Sequence, residues 1–316
     1  MTWELPDRIS VREVGPRDGL QNEDPVPTDA KVALLDRLSA TGVQRIEAVS
    51  FVRPSAIPQM ADAEEVWKRA ARAPSVRYSA LVPNLRGAQR ALDVGFTELE
   101  AVVSASETHN RKNVNRSTGQ SLDEIAEIIS VAHARGATLQ VIVSTAWGCP
   151  YEGDVPVART VSVAGRAVAD GADSVSFGDT TGMATPARVR SLVGAFRSAH
   201  PEMDPKSLNL HFHNTRGTGL ANVLAALELG VADFDASVGG LGGCPYAPGA
   251  TGNLATEDLL YMLDGLGIET GVSLQKVLAA SRAIEEKLGH PLSSRYAAAA
   301  RASPAASRRT STRPSN

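Results

Sequence analysis

Short apolar runs rich in valine and isoleucine alternate along the chain with longer segments whose apolar residues recur at helical spacing. Strands that alternate with helices pair in parallel, so this pattern predicts an α/β fold built on a parallel sheet. The chain holds about eight strand–helix units, and that number favours a closed (β/α)₈ barrel, the TIM-barrel architecture, over an open doubly wound sheet. The predicted strands are residues 9–14, 43–49, 76–82, 98–103, 138–144, 174–177, 208–213 and 234–238.

Glycine follows most of the segments that have helical periodicity. Such a glycine is typical of a helix end, because it adopts the left-handed conformation without steric cost. No G-x-G-x-x-G motif follows the first predicted strand, and this disfavours a dinucleotide-binding open sheet. The predicted helices are 29–41, 122–135, 158–170, 188–199 and 220–229, and the glycines are Gly42, Gly136, Gly171 and Gly230.

The C-terminal part of the chain divides into two kinds of sequence. Residues 254–289 predict further helices that close one side of the barrel, so the barrel domain is expected to span residues 1–290. From residue 297 to 316 the chain consists mainly of Ala, Ser, Arg, Thr and Pro without apolar periodicity. That composition predicts a disordered, basic tail.

Composition and charge narrow the classes of function. The chain has 316 residues, 43% of them hydrophobic, which is ample for one barrel. Its net charge of -3 provides no strong field for nucleic acid or an anionic membrane. Residues 1–11 contain no signal-peptide core, and no apolar run approaches the roughly 18 residues of a membrane span. Because the chain has only two cysteines and no visible signal peptide, we expect a cytoplasmic protein. We also expect a homo-oligomer without nucleic-acid or membrane partners.

Polar residues cluster where the predicted strands end. In an α/β barrel the active site lies at the carboxyl ends of the strands, so these side chains are expected to meet at one mouth. They are Arg17, Asp18 and Gln21 after the first strand, Glu47 and Ser50 around the end of the second, Asp179 after the sixth, His211 and His213 on the seventh, and Cys244 and Asn253 after the eighth.

His211 and His213 lie two residues apart, so their side chains are expected on the same side of a strand. Two imidazoles and the carboxylate of Asp18 are a suitable ligand set for a divalent metal. The alternative is a pair of hydrogen-bonded structural histidines. Asp18 by itself could also be a loop cap, with Arg17 as a structural ion-pair partner.

Each remaining candidate has a structural alternative. Glu47 ends an apolar strand, where a buried acid needs a partner, so it is either a structural ion pair or an orienting group for Arg17 or the metal site. Asp179 is either functional or the N-cap of the next helix. Cys244 follows the glycine-rich segment 239–243, which predicts a mobile thiol over the site rather than a packing residue. For Cys149 we expect a structural role.

Two long motifs resemble the hydroxymethylglutaryl-CoA lyase family: residues 14–22, and residues 238–260, which read VGGLGGCPYAPGATGNLATEDLL. The resemblance, over about residues 9–289, implies cleavage of 3-hydroxy-3-methylglutaryl-CoA to acetyl-CoA and acetoacetate, as in leucine degradation. It implies Mg²⁺ or Mn²⁺ held by Asp18, His211, His213 and Asn253. Arg17 is expected at the thioester oxygen and Cys244 in catalysis, with Glu47 and Asp179 in support. Gln21 and Ser50 are expected to bind substrate.

Other functions remain open at this stage. Asn214 and Arg216 stand where many members of the resembled family have Asp and Tyr, so a lyase for another acyl group, such as citramalyl-CoA, is one alternative. An acyl-CoA condensing synthase, which runs the same chemistry backwards, is another. A non-haem iron oxygenase would use a similar ligand set, but usually on a β-sandwich. A non-catalytic binding protein would not need both the metal ligands and Cys244.

Overall fold

The computed structural model of the chain describes residues 4–242 and 252–302. Within them, eight parallel strands close into one barrel, whose neighbours follow the order first, tenth, ninth, eighth, fifth, fourth, third and second. The other two strands form a small antiparallel hairpin. In chain order the strands are β1 (Ser10–Glu13), β2 (Arg45–Ser50), β3 (Arg77–Leu81), β4 (Glu98–Ser104), β5 (Thr138–Ser144), β6 (Gly148–Cys149), β7 (Gly153–Asp154), β8 (Ser174–Gly178), β9 (Leu208–His211) and β10 (Asp233–Ala236).

At least one α-helix follows every barrel strand and packs outside the sheet. None of the described helices is long and apolar enough to cross a membrane. The helices are α1 (Thr28–Ser39), α2 (Ala63–Arg69), α3 (Leu85–Asp93), α4 (Glu107–Val114), α5 (Thr118–Ala134), α6 (Val157–Ala169), α7 (Pro186–Ala199), α8 (Gly219–Leu227), α9 (Thr256–Gly265), α10 (Leu274–Leu288) and α11 (Arg295–Ala302).

The predicted (β/α)₈ barrel is confirmed. All eight predicted strands form the barrel, and all five predicted helices are present with ends shifted by a few residues. The four glycines predicted to end helices have φ angles between +68° and +99°, the left-handed region in which a side chain would be strained. Helix ends therefore follow from local sequence chemistry, whereas closure of the sheet follows from the number of strand–helix units.

Helices α9 and α10 close one side of the barrel as predicted, because α10 packs on both α1 and α9. The prediction of disorder from residue 297 is wrong in its first part. Residues 297–302 belong to α11, where Ala297 and Ala300 are buried against α9. The carboxylate of Asp258 accepts hydrogen bonds from the Ser294 hydroxyl (2.8 Å) and from the backbone N–H of Tyr296 (2.8 Å), which fixes the first turn of α11. Residues 303–316 of the predicted tail lie outside the described residues.

Two truncations test this corrected boundary. We expect a chain that ends at Ala302 to melt at the same temperature as the full chain, because residues 303–316 have no apolar periodicity with which to pack. A chain that ends at Ser294 should melt at least about 3 °C lower, because losing 1 kcal/mol shifts the Tm of a domain this size by about 2–4 °C. Scanning calorimetry of the three chains measures both. Equal melting of all three would show that α11 does not contribute to the stability of the barrel.

Candidate functional site

The turn that follows β1 forms one wall of the barrel mouth. The carboxylate of Glu13 accepts hydrogen bonds from the backbone N–H groups of Gly15 and Val238, both at 2.8 Å, and from the Thr256 hydroxyl at 2.7 Å. These bonds join the turn after β1 to the turn after β10. A Cβ atom on Gly15 would lie 2.7 Å from the Glu13 carboxylate, so the turn requires glycine there. Arg17 and Asp18 are thereby directed to the mouth.

Asp18, His211 and His213 converge at the mouth, as predicted. One potential ligand atom of each lies within 4.8 Å of those of the other two. The Nε2 atom of His211 is 4.0 Å from Oδ2 of Asp18, and the two imidazole centroids are 5.1 Å apart. Burial, with His211 next to it, lowers the pKa of His213 to about 3. The neutral imidazole is the form that binds a metal ion.

The electrostatics of Asp18 favour its carboxylate form. Burial opposes the charge, but Arg17 and then the two imidazoles outweigh burial and hold the pKa of Asp18 below its ordinary value. The Oδ1 atom accepts hydrogen bonds from Nη1 of Arg17 (2.7 Å) and from Nε2 of Gln21 (3.0 Å). The predicted site residues Arg17 and Gln21 therefore both contact the carboxylate directly.

Asn253 completes the predicted ligand set beside His213 and Asp18. Its backbone pairs with that of His213 in an isolated antiparallel bridge. The amide Nδ2 donates to Oδ2 of Asp18 (2.8 Å) and to the carbonyl oxygen of Leu241 (2.9 Å). The amide Oδ1 is buried, and no donor approaches it from residues 4–242 or 252–302. A buried oxygen without a donor beside two imidazoles and a carboxylate fits a divalent cation.

Glu47 lies against Arg17 in the barrel interior. Its Oε1 is 2.6 Å from Nε of Arg17, and the Glu47 side chain is only 1% exposed. Burial raises the pKa of Glu47 well above its ordinary value, with Glu100 adding to the rise and Arg17 opposing it. Both interpretations of Glu47 are therefore compatible, because the ion-pair partner is the arginine that it was expected to orient. Ser50 ends β2 and is buried, and its hydroxyl has no hydrogen-bond partner in the described part of the chain.

Asp179 organises the loop after β8. Its Oδ1 accepts from the backbone N–H groups of Met183 (2.8 Å) and Ala184 (3.0 Å), and its own N–H donates to the carbonyl oxygen of His211 (2.8 Å). The N-cap of α7 is Thr185, so the interpretation of Asp179 as a helix cap is wrong. Burial raises the pKa of Asp179 to about 6. The residue therefore joins its loop to the strand end that carries His211.

Of the two cysteines, the structure describes Cys149 but not Cys244. Cys149 is buried, and its sulfur accepts hydrogen bonds from the Ser106 hydroxyl (2.9 Å) and the backbone N–H of Tyr151 (3.3 Å), in line with the structural role expected for it. Cys244 lies outside the described residues, so the expectation of a mobile thiol remains a prediction.

Asp235 was not among the residues predicted from the sequence, yet it contacts the ring nitrogen of His211 that faces away from Asp18. Its Oδ2 lies 3.0 Å from Nδ1 of His211. Burial opposes its charge, but Arg12 and His211 keep the pKa of Asp235 well below its ordinary value. The signal was present, because Asp235 is an acid within a predicted apolar strand, the same feature that singled out Glu47. A carboxylate behind a histidine fixes which ring nitrogen faces the site.

Comparison with known proteins places the chain among acyl-CoA lyases. The family model described as HMGL-like matches residues 8–284. The chain is 47% identical over 291 residues to a hydroxymethylglutaryl-CoA lyase of Bacillus subtilis, covering 92% of this chain and 96% of that protein. It is 45% identical over 297 residues to the mitochondrial hydroxymethylglutaryl-CoA lyase of Gallus gallus, and this match covers 94% of this chain and 99% of that protein.

A solved structure extends this likeness to three dimensions. An HMG-CoA lyase from Acinetobacter baumannii, in complex with coenzyme A and 3-methylmalate, superposes with a TM-score of 0.89 at 43% identity. The match covers 98% of each chain. The likeness therefore includes the strand ends at which the residues described above converge.

Proposed function

Because the chain belongs to the HMGL-like family, we propose that it is a metal-dependent carbon–carbon lyase that cleaves 3-hydroxy-3-methylglutaryl-CoA to acetyl-CoA and acetoacetate. The observation that carries the proposal is the convergence of Asp18, His211 and His213 beside Arg17 at the barrel mouth. We infer the substrate from the names of the relatives, which are hydroxymethylglutaryl-CoA lyases. The coenzyme A complex of one relative supports an acyl-CoA thioester as the ligand class.

Asp18, His211, His213 and Asn253 would hold the divalent cation, for which we propose Mg²⁺ or Mn²⁺. When bound, the cation supplies Lewis acidity that makes the 3-hydroxyl of the substrate easier to deprotonate. Two imidazoles favour Mn²⁺, whereas oxygen ligands favour Mg²⁺, and this site offers both kinds of ligand. We further propose a role in leucine degradation, a cytoplasmic location and a homo-oligomeric assembly.

The cleavage needs three groups from the protein. A base removes the proton of the 3-hydroxyl. Asp18 and His211 are the two candidates within the cluster, and Asp18 is favoured because Nδ1 of His211 is engaged by Asp235 and its Nε2 would hold the cation. The O–H electrons form the ketone of acetoacetate, while the electrons of the broken carbon–carbon bond pass to the thioester carbonyl and leave an enolate. The guanidinium of Arg17 stabilises the enolate oxygen. Cys244 then protonates the enolate carbon and yields acetyl-CoA.

The environment of Arg17 suits this role. Its side chain is 9% exposed, which shields its charge from bulk water, and Asp18 and Glu47 fix it in place through Nη1 and Nε. These two carboxylates raise the pKa of Arg17 above its already high value against the effect of burial. A fixed cation in a water-poor site stabilises developing negative charge without having to reorganise. The guanidinium is therefore ready for the enolate before substrate binds.

Substitution of Arg17 tests its role. We expect Arg17→Gln to lower kcat by about 10²–10³, the loss typical of removing one oxyanion donor. The fold should survive, because Glu47, whose pKa is already raised by burial, can become neutral when its partner is lost. Steady-state kinetics, Mn²⁺ binding and calorimetry on the same preparation separate these effects. An Arg17→Gln chain that does not fold would favour a purely structural ion pair.

A panel of thioesters tests the proposed reaction against its alternatives. The purified, metal-loaded enzyme is incubated separately with 3-hydroxy-3-methylglutaryl-CoA, with citramalyl-CoA, and with acetyl-CoA plus a 2-oxo acid, and the products are identified by mass spectrometry. We expect acetoacetate and acetyl-CoA from the first mixture at a far higher kcat/KM than any product of the others. Preference for citramalyl-CoA would change the substrate, and condensation in the third mixture would indicate a synthase.

A further inference from the structure

Arg12 lies in β1 with its guanidinium in the barrel interior, beneath the cluster of candidate metal ligands. Its side chain is 1% exposed. The guanidinium reaches strands on the far side of the closed sheet, because Nη1 donates to Oε1 of Glu100 on β4 (2.5 Å) and to Oε1 of Gln140 on β5 (2.6 Å). Such contacts are made only through the barrel interior. Arg12 therefore connects the strands on opposite sides of the barrel.

The other side of the same guanidinium holds Asp235 in a two-pronged ion pair. Nε of Arg12 donates to Oδ1 (2.8 Å) and Nη2 donates to Oδ2 (2.7 Å). Oδ1 also accepts from Nδ2 of Asn209 (3.0 Å). With both oxygens engaged by Arg12, the plane of the carboxylate is fixed. This geometry needs the planar fork of arginine, which the single ammonium of lysine does not reproduce.

The fixed carboxylate in turn determines how His211 faces the site. Oδ2 of Asp235 lies 3.0 Å from Nδ1 of His211. Because a carboxylate oxygen accepts, Nδ1 is the ring nitrogen that donates a hydrogen bond to Asp235. In the neutral ring the nitrogen free to act as a ligand is then Nε2, which lies 4.0 Å from Oδ2 of Asp18. The chain of contacts from Arg12 through Asp235 to His211 thus ends at the nitrogen that faces the cluster.

We propose that Arg12 is a positioning residue that sets the affinity of the site for its divalent cation by fixing Asp235 and, through it, the ring of His211. The proposal rests on the metal-dependent function proposed above. Arg12 does not touch the cluster itself. With Arg12 in place, the ligand nitrogen of His211 is already oriented before the cation binds. Without Arg12, the ring must be oriented on binding, and this cost lowers the affinity for the cation. Partners behind a metal ligand typically change metal affinity or activity by about 10–100-fold.

The chain offers a matched control, a second arginine that pairs with an acid of β10. Arg45 of β2 forms an ion pair with Asp233, which lies two residues before Asp235 on β10. The side chain of Arg45 is 10% exposed, so this pair is also largely buried, but it lies towards the opposite end of the strand from the mouth. Replacing either arginine by lysine keeps the positive charge but disturbs a buried ion pair of the barrel. The Arg12 pair, and not the Arg45 pair, includes the acid that contacts His211.

The test compares Arg12→Lys with Arg45→Lys and the wild type. Metal-stripped protein is titrated with Mn²⁺, free Mn²⁺ is measured by electron paramagnetic resonance, and Tm is measured without metal. We expect both variants to melt at a lower temperature. Arg12→Lys should raise the Kd for Mn²⁺ by about 10–100-fold, because lysine keeps the charge but loses the fork. Arg45→Lys should leave the Kd within about twofold of the wild type, as expected for a distant site.

A folded Arg12→Lys chain with the wild-type Kd would overturn the proposal, and so would an equal rise in Kd for Arg45→Lys. If Arg12→Lys does not fold, Asn209→Ala decides, because Asn209 holds the same carboxylate without carrying a charge. A raised Kd for Asn209→Ala supports the proposal, and an unchanged Kd overturns it. A wild-type protein that binds no Mn²⁺ would contradict the proposed function itself, which is a distinct outcome.

Discussion

Exhaustive removal of divalent metal is expected to reduce the cleavage of 3-hydroxy-3-methylglutaryl-CoA to background, and addition of Mg²⁺ or Mn²⁺ is expected to restore it. The reason is the ligand set, because two imidazoles, a carboxylate and a buried amide oxygen meet at the mouth. Without the cation, the pKa of the 3-hydroxyl stays far above that of any base in the cluster, so deprotonation, the first step, becomes slow. Turnover is measured after chelation and dialysis, with and without each metal.

A substitution within the ligand set separates metal loss from loss of fold. We expect His213→Ala to raise the Kd for Mn²⁺ first, with turnover recovering in part at high metal concentration. The imidazole of His213 is buried and neutral, so its loss removes a ligand without leaving an unpaired charge. Circular dichroism and Tm verify the fold. Full turnover in a preparation shown to be free of metal would contradict the metal-dependent mechanism.

Replacement of Cys244 by serine is expected to lower the single-turnover rate by about 10²–10⁴, the usual effect of losing a general acid. Serine keeps the size and hydrogen-bonding ability of cysteine, but it lacks the acidity of a thiol, which titrates at about 8.5. Because Cys244 is outside the predicted ligand set, metal affinity and substrate affinity should change little. Rapid-quench single-turnover kinetics and Mn²⁺ titration on the same preparations measure both quantities.

Cys149→Ser provides the matched control. Cys149 is buried and receives hydrogen bonds from Ser106 and Tyr151, so its replacement should affect stability more than rate. Alkylation should inactivate the wild type and the Cys149→Ser chain, a substrate analogue should protect both, and the Cys244→Ser chain should resist the reagent. Equal single-turnover rates for the wild type and Cys244→Ser would show that another group protonates the enolate.

The sequence alone determined the barrel and most of the mouth. Apolar periodicity is a local property, so it identified all eight strands, and glycines such as Gly42 and Gly171 identified helix ends. In a parallel barrel every strand ends at the same mouth, so polar residues at strand ends had to meet. That reasoning brought Asp18, His211 and His213 together although almost 200 residues separate the first from the others.

Only the tertiary structure decided which side chains face each other across the barrel. The contacts of Arg12 with Glu100, Gln140 and Asp235 span 88, 128 and 223 residues of sequence. In the sequence each of these is a polar residue within a predicted strand, and its partner depends on how the sheet closes. The tertiary structure also decided that α11 folds, because Asp258 fixes its start and α9 covers its alanines. Periodicity records which side of an element is buried, whereas the partner of a buried charge is determined by the packing of distant segments.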